Sequence, residues 1–278
     1  MATYYFGPGG NDSTGNGTVG TPWLSISKAV GSSTTSDTLI ALSGTHDYSG
    51  GGYFLFNPST RTISGQDGTT FDWGLTNPMI IYCTGSAVFH NITFYRGYTN
   101  NVYHAMYEPV TVGSTIEFDN CIFKDHKLHA GSTYYGGLFA HCANGQTVTI
   151  NSCKIYGCYG IAGGGNILWS AYTGYTYVYN TSIHIPTNAN PLLHLWGCTT
   201  ADHLVVRNVI AVNGNGGTCT YLEVSSAGVD EEYCCFYNFT SPPTGTGVIT
   251  SDPLLVDPIN GNFKLRPSSP CIGTGTIL

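Results

Sequence analysis

Apolar residues alternate with other residues in short runs along this chain, and the runs themselves return at a fixed distance. Phe89-His90-Asn91-Ile92-Thr93-Phe94, Phe118-Asp119-Asn120-Cys121-Ile122-Phe123, Ile150-Asn151-Ser152-Cys153-Lys154-Ile155, Val178-Tyr179-Asn180-Thr181-Ser182-Ile183 and Val206-Arg207-Asn208-Val209-Ile210-Ala211 share one form. It reads apolar, any, Asn or Ser, small or β-branched, any, apolar. The third positions are Asn91, Asn120, Ser152, Asn180 and Asn208, with steps of 29, 32, 28 and 28 residues. A second series, Phe139, Leu168, Leu195, Leu222 and Ile249, steps by 29, 27, 27 and 27. Alternation at two marks strands, whereas helical repeats would space their apolar residues by three and four. A period near 28 with Gly-rich turns predicts a solenoid of strands, in which each coil buries its apolar side only against its neighbours. We expect roughly eight coils of three short parallel strands each. Equivalent residues of stacked coils stand about 4.8 Å apart. That places Cys121 and Cys153 in one inward column and the asparagines in a turn column, where amides can bond along the stack and Asn tolerates the turn backbone.

The two ends depart from the repeat. Residues Tyr4 to Val30 offer a strand, a loop rich in Gly, Asn, Ser and Thr, and an amphipathic helix over Pro22–Val30 that would shield the first coil. Asp37–Thr45 reads as the first coil strand, and the pattern weakens after Tyr233-Cys234-Cys235-Phe236. The predicted division is an N-terminal cap over 1–36, parallel coils over 37–250 and a C-terminal cap segment over 251–278.

The opening Tyr5-Phe6-Gly7-Pro8-Gly9-Gly10-Asn11-Asp12 with Pro22 and Ser25-Ile26-Ser27-Lys28-Ala29 resembles one end of a known family. The closing Asp252-Pro253-Leu254-Leu255-Val256-Asp257-Pro258 through Asn260-Gly261-Asn262-Phe263-Lys264-Leu265-Arg266-Pro267-Ser268-Ser269-Pro270 resembles the other. The family is that of right-handed parallel β-helix proteins of the pectate-lyase-like superfamily. The resemblance implies an all-β, single-stranded right-handed parallel β-helix with an N-terminal cap. It says little about activity, because this fold hosts lyases, hydrolases, adhesins and phage tail proteins.

Enzymes of that superfamily carry recognisable chemistry. Pectin-hydrolysing relatives present paired Asp residues and a Gly-His-Gly segment, and neither occurs here. Lyases of the family use Arg or Lys as base beside calcium held by carboxylates. The arginines are Arg61, Arg96, Arg207 and Arg266, none in the family's proline-containing Arg motif, and Asp125-His126 resembles the family's Asp-His step only as a dipeptide. A glycosidase needs two carboxylates about 5 to 9.5 Å apart. At the offset of Asp119, the neighbouring coils supply Asn151 and His90 instead. The acidic run Asp230-Glu231-Glu232 has oxygen ligands suited to calcium, but its expected state is a solvated turn. We expect no cofactor.

Composition narrows the partners. Lys+Arg 9 against Asp+Glu 16 gives a net charge of -7, and 9% of residues are charged, which excludes a nucleic-acid partner needing a clustered basic face. No apolar run reaches the roughly 18 residues of a membrane span, so membrane insertion is not expected. Met1–Phe6 lacks a basic segment and apolar signal core, and the chain as given is expected to carry no export signal. Ten cysteines sit mostly within strand-like runs and read as buried free thiols.

The segment after each turn-column residue predicts a binding face. Four positions past the turn column stand Tyr95, Lys124, Tyr156 and His184; five past it, Arg96 and Asp125, expected to pair one coil apart; seven past it, Tyr98, Lys127 and Tyr159. With His126, the residues Tyr95, Arg96, Tyr98, Lys124, Asp125, Tyr156 and Tyr159 form a candidate glycan-binding or subunit-interface stripe, since Tyr joins an apolar ring to a polar tip. The 32-residue step assigns about four extra residues to a loop within 128–137. Two function classes follow. The first is a non-enzymatic phage virion or cell-surface attachment protein, extracellular, contacting polysaccharide or neighbouring subunits, with a homotrimer implied by the phage relatives. The second is a polysaccharide lyase or glycoside hydrolase.

Overall fold

The computed structural model describes residues 1–50, 52–56, 61–75, 79–98, 106–128, 137–141, 145–160, 166–171, 174–186, 193–196, 204–214, 222–224 and 229–278. The chain winds through three parallel sheets that run the length of a solenoid. Among the described residues the first sheet has nine strands, the second seven and the third eight. One coil shows the path. Ser86–His90 belongs to the first sheet, Thr93–Tyr95 to the third and Tyr107–Pro109 to the second, and Thr115–Asp119 then returns to the first. Thr115–Asp119 pairs in register with Ser86–His90 on one side and Thr147–Asn151 on the other.

The alternation seen along the chain becomes an inside and an outside. Phe71, Phe94, Phe123, Ile155, Ile183, Ala211 and Phe236 follow one another in the third sheet, all buried. Ile63, Phe89, Phe118, Ile150, Val178 and Val206 do the same in the first. Rings stack where coils stack: Phe94 on Phe123 at 5.0 Å and 5°, Phe89 on Phe118 at 5.3 Å and 13°. Such offset pairs add about 0.5–1.5 kcal/mol each beyond the area they bury.

The corner between the first and third sheets is a two-residue turn. Asn91, Asn120, Ser152, Asn180 and Asn208 all take left-handed backbone, with φ between 49° and 57°. Asn tolerates that region better than most residues. The amides also bond from coil to coil: Asn120 Nδ2 donates to Asn91 Oδ1 at 2.7 Å and Asn208 Nδ2 to Asn180 Oδ1 at 3.1 Å. Ser152 cannot extend this chain of amides, and Asn180 turns instead to Asn151 Oδ1 at 3.1 Å.

The next residue of each turn points inward, giving the column Ile92, Cys121, Cys153, Thr181, Val209 and Cys234, all buried. Here the polar atom matters as much as the size. Cys121 N–H donates to Cys153 Sγ at 3.4 Å, Cys153 N–H to Thr181 Oγ1 at 3.2 Å and Val209 N–H to Cys234 Sγ at 3.5 Å. Each acceptor in turn donates to the carbonyl two residues before it, as in Cys153 to Asn151 at 3.1 Å and Thr181 to Tyr179 at 2.8 Å. A buried corner N–H thus keeps the partner it needs. Burial pushes the Cys234 thiol up to about 12 and raises Cys153 as well. All seven described cysteines are free, and all but Cys271 are buried.

Several expectations shift in register. The helix runs over Ile26–Ser32, later than Pro22–Val30, because Ser25 caps it with Oγ accepting from Lys28 N–H at 3.1 Å. Asp12 fastens that cap, accepting from Leu24 N–H, Ser25 N–H and the Ser25 hydroxyl. Asp37–Thr45 divides into Thr38–Ala41 of the first sheet and the start of Gly44–Asp47 of the third. The second ladder slips: Leu168 stands opposite Leu193, with Leu195 opposite Ser170, and Leu193 then meets Leu222. Ile249 bridges Cys235 of the third sheet rather than continuing the second. Asp230-Glu231-Glu232 lies in the strand Val229–Glu232, not in a turn. The extra residues assigned to the loop within 128–137 fall mostly on 129–136, outside the described residues.

Beyond the coils, Leu255–Asp257 and Asn262–Leu265 form an antiparallel hairpin around the short 3-10 turn Pro258–Asn260.

Candidate functional site

The second corner leaves the third sheet, and it positions the candidate stripe. Asp47, Asp72, Tyr95, Lys124, Tyr156 and His184 stand opposite one another on six successive strands. Arg96, Asp125 and Gly157 follow them in left-handed backbone, with φ of 52°, 55° and 68°. Tyr98, Lys127 and Tyr159 then align through a short continuation of parallel pairing. The offsets read from the repeat therefore hold at this corner.

The side chains form an interleaved ladder of rings and cations. Lys124 Nζ sits 5.3 Å from the Tyr95 ring centre and 5.8 Å from that of Tyr156. Arg96 Cζ lies 4.8 Å from the Tyr95 ring and Lys127 Nζ 5.1 Å from the Tyr98 ring. Each contact is worth about 0.5–1 kcal/mol at an exposed site. Arg96 and Asp125 lie one coil apart, but Arg96 turns away to a bidentate pair with Asp72, Nε to Oδ1 at 2.9 Å and Nη2 to Oδ2. A guanidinium fork matches one carboxylate best when both bonds run parallel, and Asp72 on the preceding coil allows this. Asp125 is left with Lys124 Nζ at 3.9 Å. Burial pushes its carboxyl above the usual range, with Lys124 and Arg96 opposing. Its Oδ1 occupies the space over Gly157, where a Cβ would stand 2.0 Å away.

His126 leaves the stripe altogether. The inward position after Asp125 buries it fully, and burial drives its pKa down to about 3. A neutral imidazole enclosed by Tyr107, Phe123 and Gly97 cannot meet a sugar. The dipeptide Asp125-His126 therefore divides between surface and core.

The chain covers the far end of its own stripe. Phe263 packs edge-on to Tyr156 at 6.1 Å, and a Cβ on Gly261 would meet Tyr156 Cζ at 2.5 Å. His184 is buried, which lowers its pKa, with Asp257 pulling the other way. Tyr156 nevertheless stays half-buried rather than buried, as do Tyr95, Arg96, Tyr98, Lys124, Asp125, Lys127 and Tyr159.

Two arrangements carry no mark in the sequence that a motif search would find. Asp47 and Asp72 are carboxylates one coil apart at the same offset; Thr45 to Asp47 and Thr70 to Asp72 share only a strand pattern. Tyr175, Tyr177 and Tyr179 line the outer face of one strand with ring centres 6.3 and 6.0 Å apart and planes nearly parallel. Period-two alternation is the signal available for that row. Several other acidic groups among the described residues are engaged within the protein. Asp119 takes His90 Nδ1 at 3.3 Å and Asn151 Nδ2 at 2.8 Å, the two neighbours its offset named. Asp230 and Glu232 flank Arg207 at 2.7 and 3.3 Å. No group of three or more His, Cys, Asp or Glu suited to a metal ion occurs among the described residues, and no described helix is long and apolar enough to cross a membrane.

No family model matches this chain, and no curated protein does. Among solved structures, a rhamnogalacturonan lyase is similar with a TM-score of 0.57 at 15% identity, covering 87% of this chain and 69% of that one. The pectate lyase Pel9A gives a TM-score of 0.29 at 16% identity, covering 88% of this chain and 65% of that one. With three parallel sheets, stacked turn columns and the first of these likenesses, the chain has a parallel β-helix fold.

Proposed function

We propose that this protein is a surface polysaccharide-binding β-helix of virion or cell-surface type, and that it holds an extended, acidic glycan along the second corner. The observation that carries the reading is the ladder of Tyr95, Lys124, Tyr98, Lys127 and Tyr159 in strict coil register. Rings two coils apart offer stacking faces along an extended glycan, and the ammonium groups on the coil between them suit uronate carboxylates. Three of the nine cations of an acidic chain, Arg96, Lys124 and Lys127, gather on two adjacent coils.

The likeness to a rhamnogalacturonan lyase supports a polysaccharide as ligand and favours cleavage as the second reading. The two separate in one experiment. Purified protein is titrated with a panel of acidic and neutral polysaccharides, and each mixture is followed for unsaturated or reducing ends. Binding without product, weakened roughly tenfold by Tyr98→Ala or Tyr159→Ala, is the expected result. Product at enzymatic turnover establishes the lyase or hydrolase, and unchanged binding in both variants removes the ladder as the site.

A further inference from the structure

We propose that Cys235 and Cys271 are a disulfide-exchange pair through which a small disulfide oxidant clasps the C-terminal segment to the last coil. Cys235 opens the final described strand of the third sheet, Cys235–Tyr237. Its Sγ donates to Ser251 O at 3.5 Å, on the segment leaving the coils. Cys271 lies near the chain end. Its neighbourhood is held by Ser269 Oγ donating to Pro253 O at 2.6 Å and by Thr276 N–H donating to Asn208 Oδ1 at 2.8 Å. The two cysteines line one cavity of about 100 Å³, shared with Cys234, Ile249 and Thr274. Packing has thus brought together two sulfurs 36 positions apart in sequence.

The pair is asymmetric in the way exchange chemistry needs. Cys271 is the one described cysteine that is not buried. Proximity to Cys235 lowers its pKa to about 7, against burial and with help from Ser269. Cys235 is buried and moved upward, first by its contact with Cys271 and then by burial. An attacking thiol works best with a pKa near ambient pH and with access to solvent.

With oxidised glutathione the steps balance. The Cys271 thiolate attacks one sulfur of the oxidant, forming a mixed disulfide and expelling one glutathione thiolate, which takes a proton. Cys235 loses its proton to solvent and attacks the Cys271 sulfur, expelling the second glutathione. Two protein thiols are oxidised and one glutathione disulfide is reduced to two thiols. The clasp closes a loop containing Gly261 and Phe263, the residues over Tyr156. It does not depend on what the stripe binds.

The test uses the full chain. Protein is incubated with oxidised glutathione, remaining thiols are alkylated, and peptides are mapped without reduction. A peptide joining Cys235 to Cys271, with two fewer alkylated thiols and a Tm raised by roughly 2 °C or more, is expected. Cys271→Ser should abolish the link and leave Cys235 alkylated after unfolding. A stable glutathione adduct on Cys271 without a link, a link to Cys234 instead, or no modification would each overturn the proposal.

Discussion

His126 accepts the backbone N–H of Gly97, one coil away, through Nδ1 at 2.8 Å. The imidazole does at the second corner what Cys153 and Thr181 do at the first: a buried side chain from the next coil receives a corner N–H that no strand partner can reach. Cys158 repeats the pattern one coil further, with the His126 N–H directed to its sulfur. Nδ1 as acceptor leaves the ring proton on Nε2, which lies 3.4 Å from the Tyr107 hydroxyl.

The neutral His126 makes stability depend on acid. Its folded pKa of about 3 lies below the ordinary 6.5, so the unfolded chain binds a proton first as pH falls. The contribution is fully present above about pH 6.5 and is lost toward pH 3, with a slope up to about 1.4 kcal/mol per pH unit. His46 and His184, also lowered by burial, act in the same direction. Urea unfolding at a series of pH values should show His126→Cys losing stability less steeply between pH 6 and 4 than the parent. Parallel slopes would discard the assignment.

Cys153 is expected to tolerate Thr better than Val, although Val matches its apolar character. Thr keeps an acceptor for Cys121 N–H, as Thr181 does for Cys153. Val strands a buried donor, which costs about 1–3 kcal/mol. Denaturant midpoints of Cys153→Thr and Cys153→Val read the difference, and equal midpoints would show that only size matters in this column.

Gly157→Ala should destabilise by about 1–3 kcal/mol and move Asp125. The backbone there is left-handed, and the added Cβ would stand 2.0 Å from Asp125 Oδ1. Gly157→Asn tests the two causes apart, since Asn tolerates the backbone but still collides. Thermal unfolding in which Ala and Asn both match the parent would remove the close contact as a constraint.

Asn120 serves both as a left-handed residue and as an amide link to Asn91. Asn120→Gly keeps the first role and should cost under about 1 kcal/mol, while Asn120→Leu loses both and should cost about 1–3 kcal/mol. If Gly proves as harmful as Leu in urea unfolding, the amide link outweighs the backbone.

Much of the architecture was legible because a solenoid writes its third dimension along the chain. Residues 28 or so apart become neighbours, so one offset predicts a column, as it did for Asn91 to Asn208 and for Tyr95 to Tyr156. The second ladder failed where this arithmetic lacks an anchor. Apolar residues two apart are interchangeable until the strands pair, so Leu193 took the place beside Leu168.

Sequence alone determined the period, the parallel strands, the inward cysteines and the outward tyrosines, since these follow from alternation within a run and from the step between runs. Tertiary structure decided the rest. The period could not tell that Arg96 would choose Asp72 over Asp125, because both lie one coil away and only side-chain direction separates them. Nor could it place the C-terminal hairpin over Tyr156 or Cys271 beside Cys235, contacts that obey no repeat. His126 is the sharpest case. A polar residue inside a column looks like a surface residue in sequence, and it belongs to the core because packing set it against a backbone N–H that needed an acceptor.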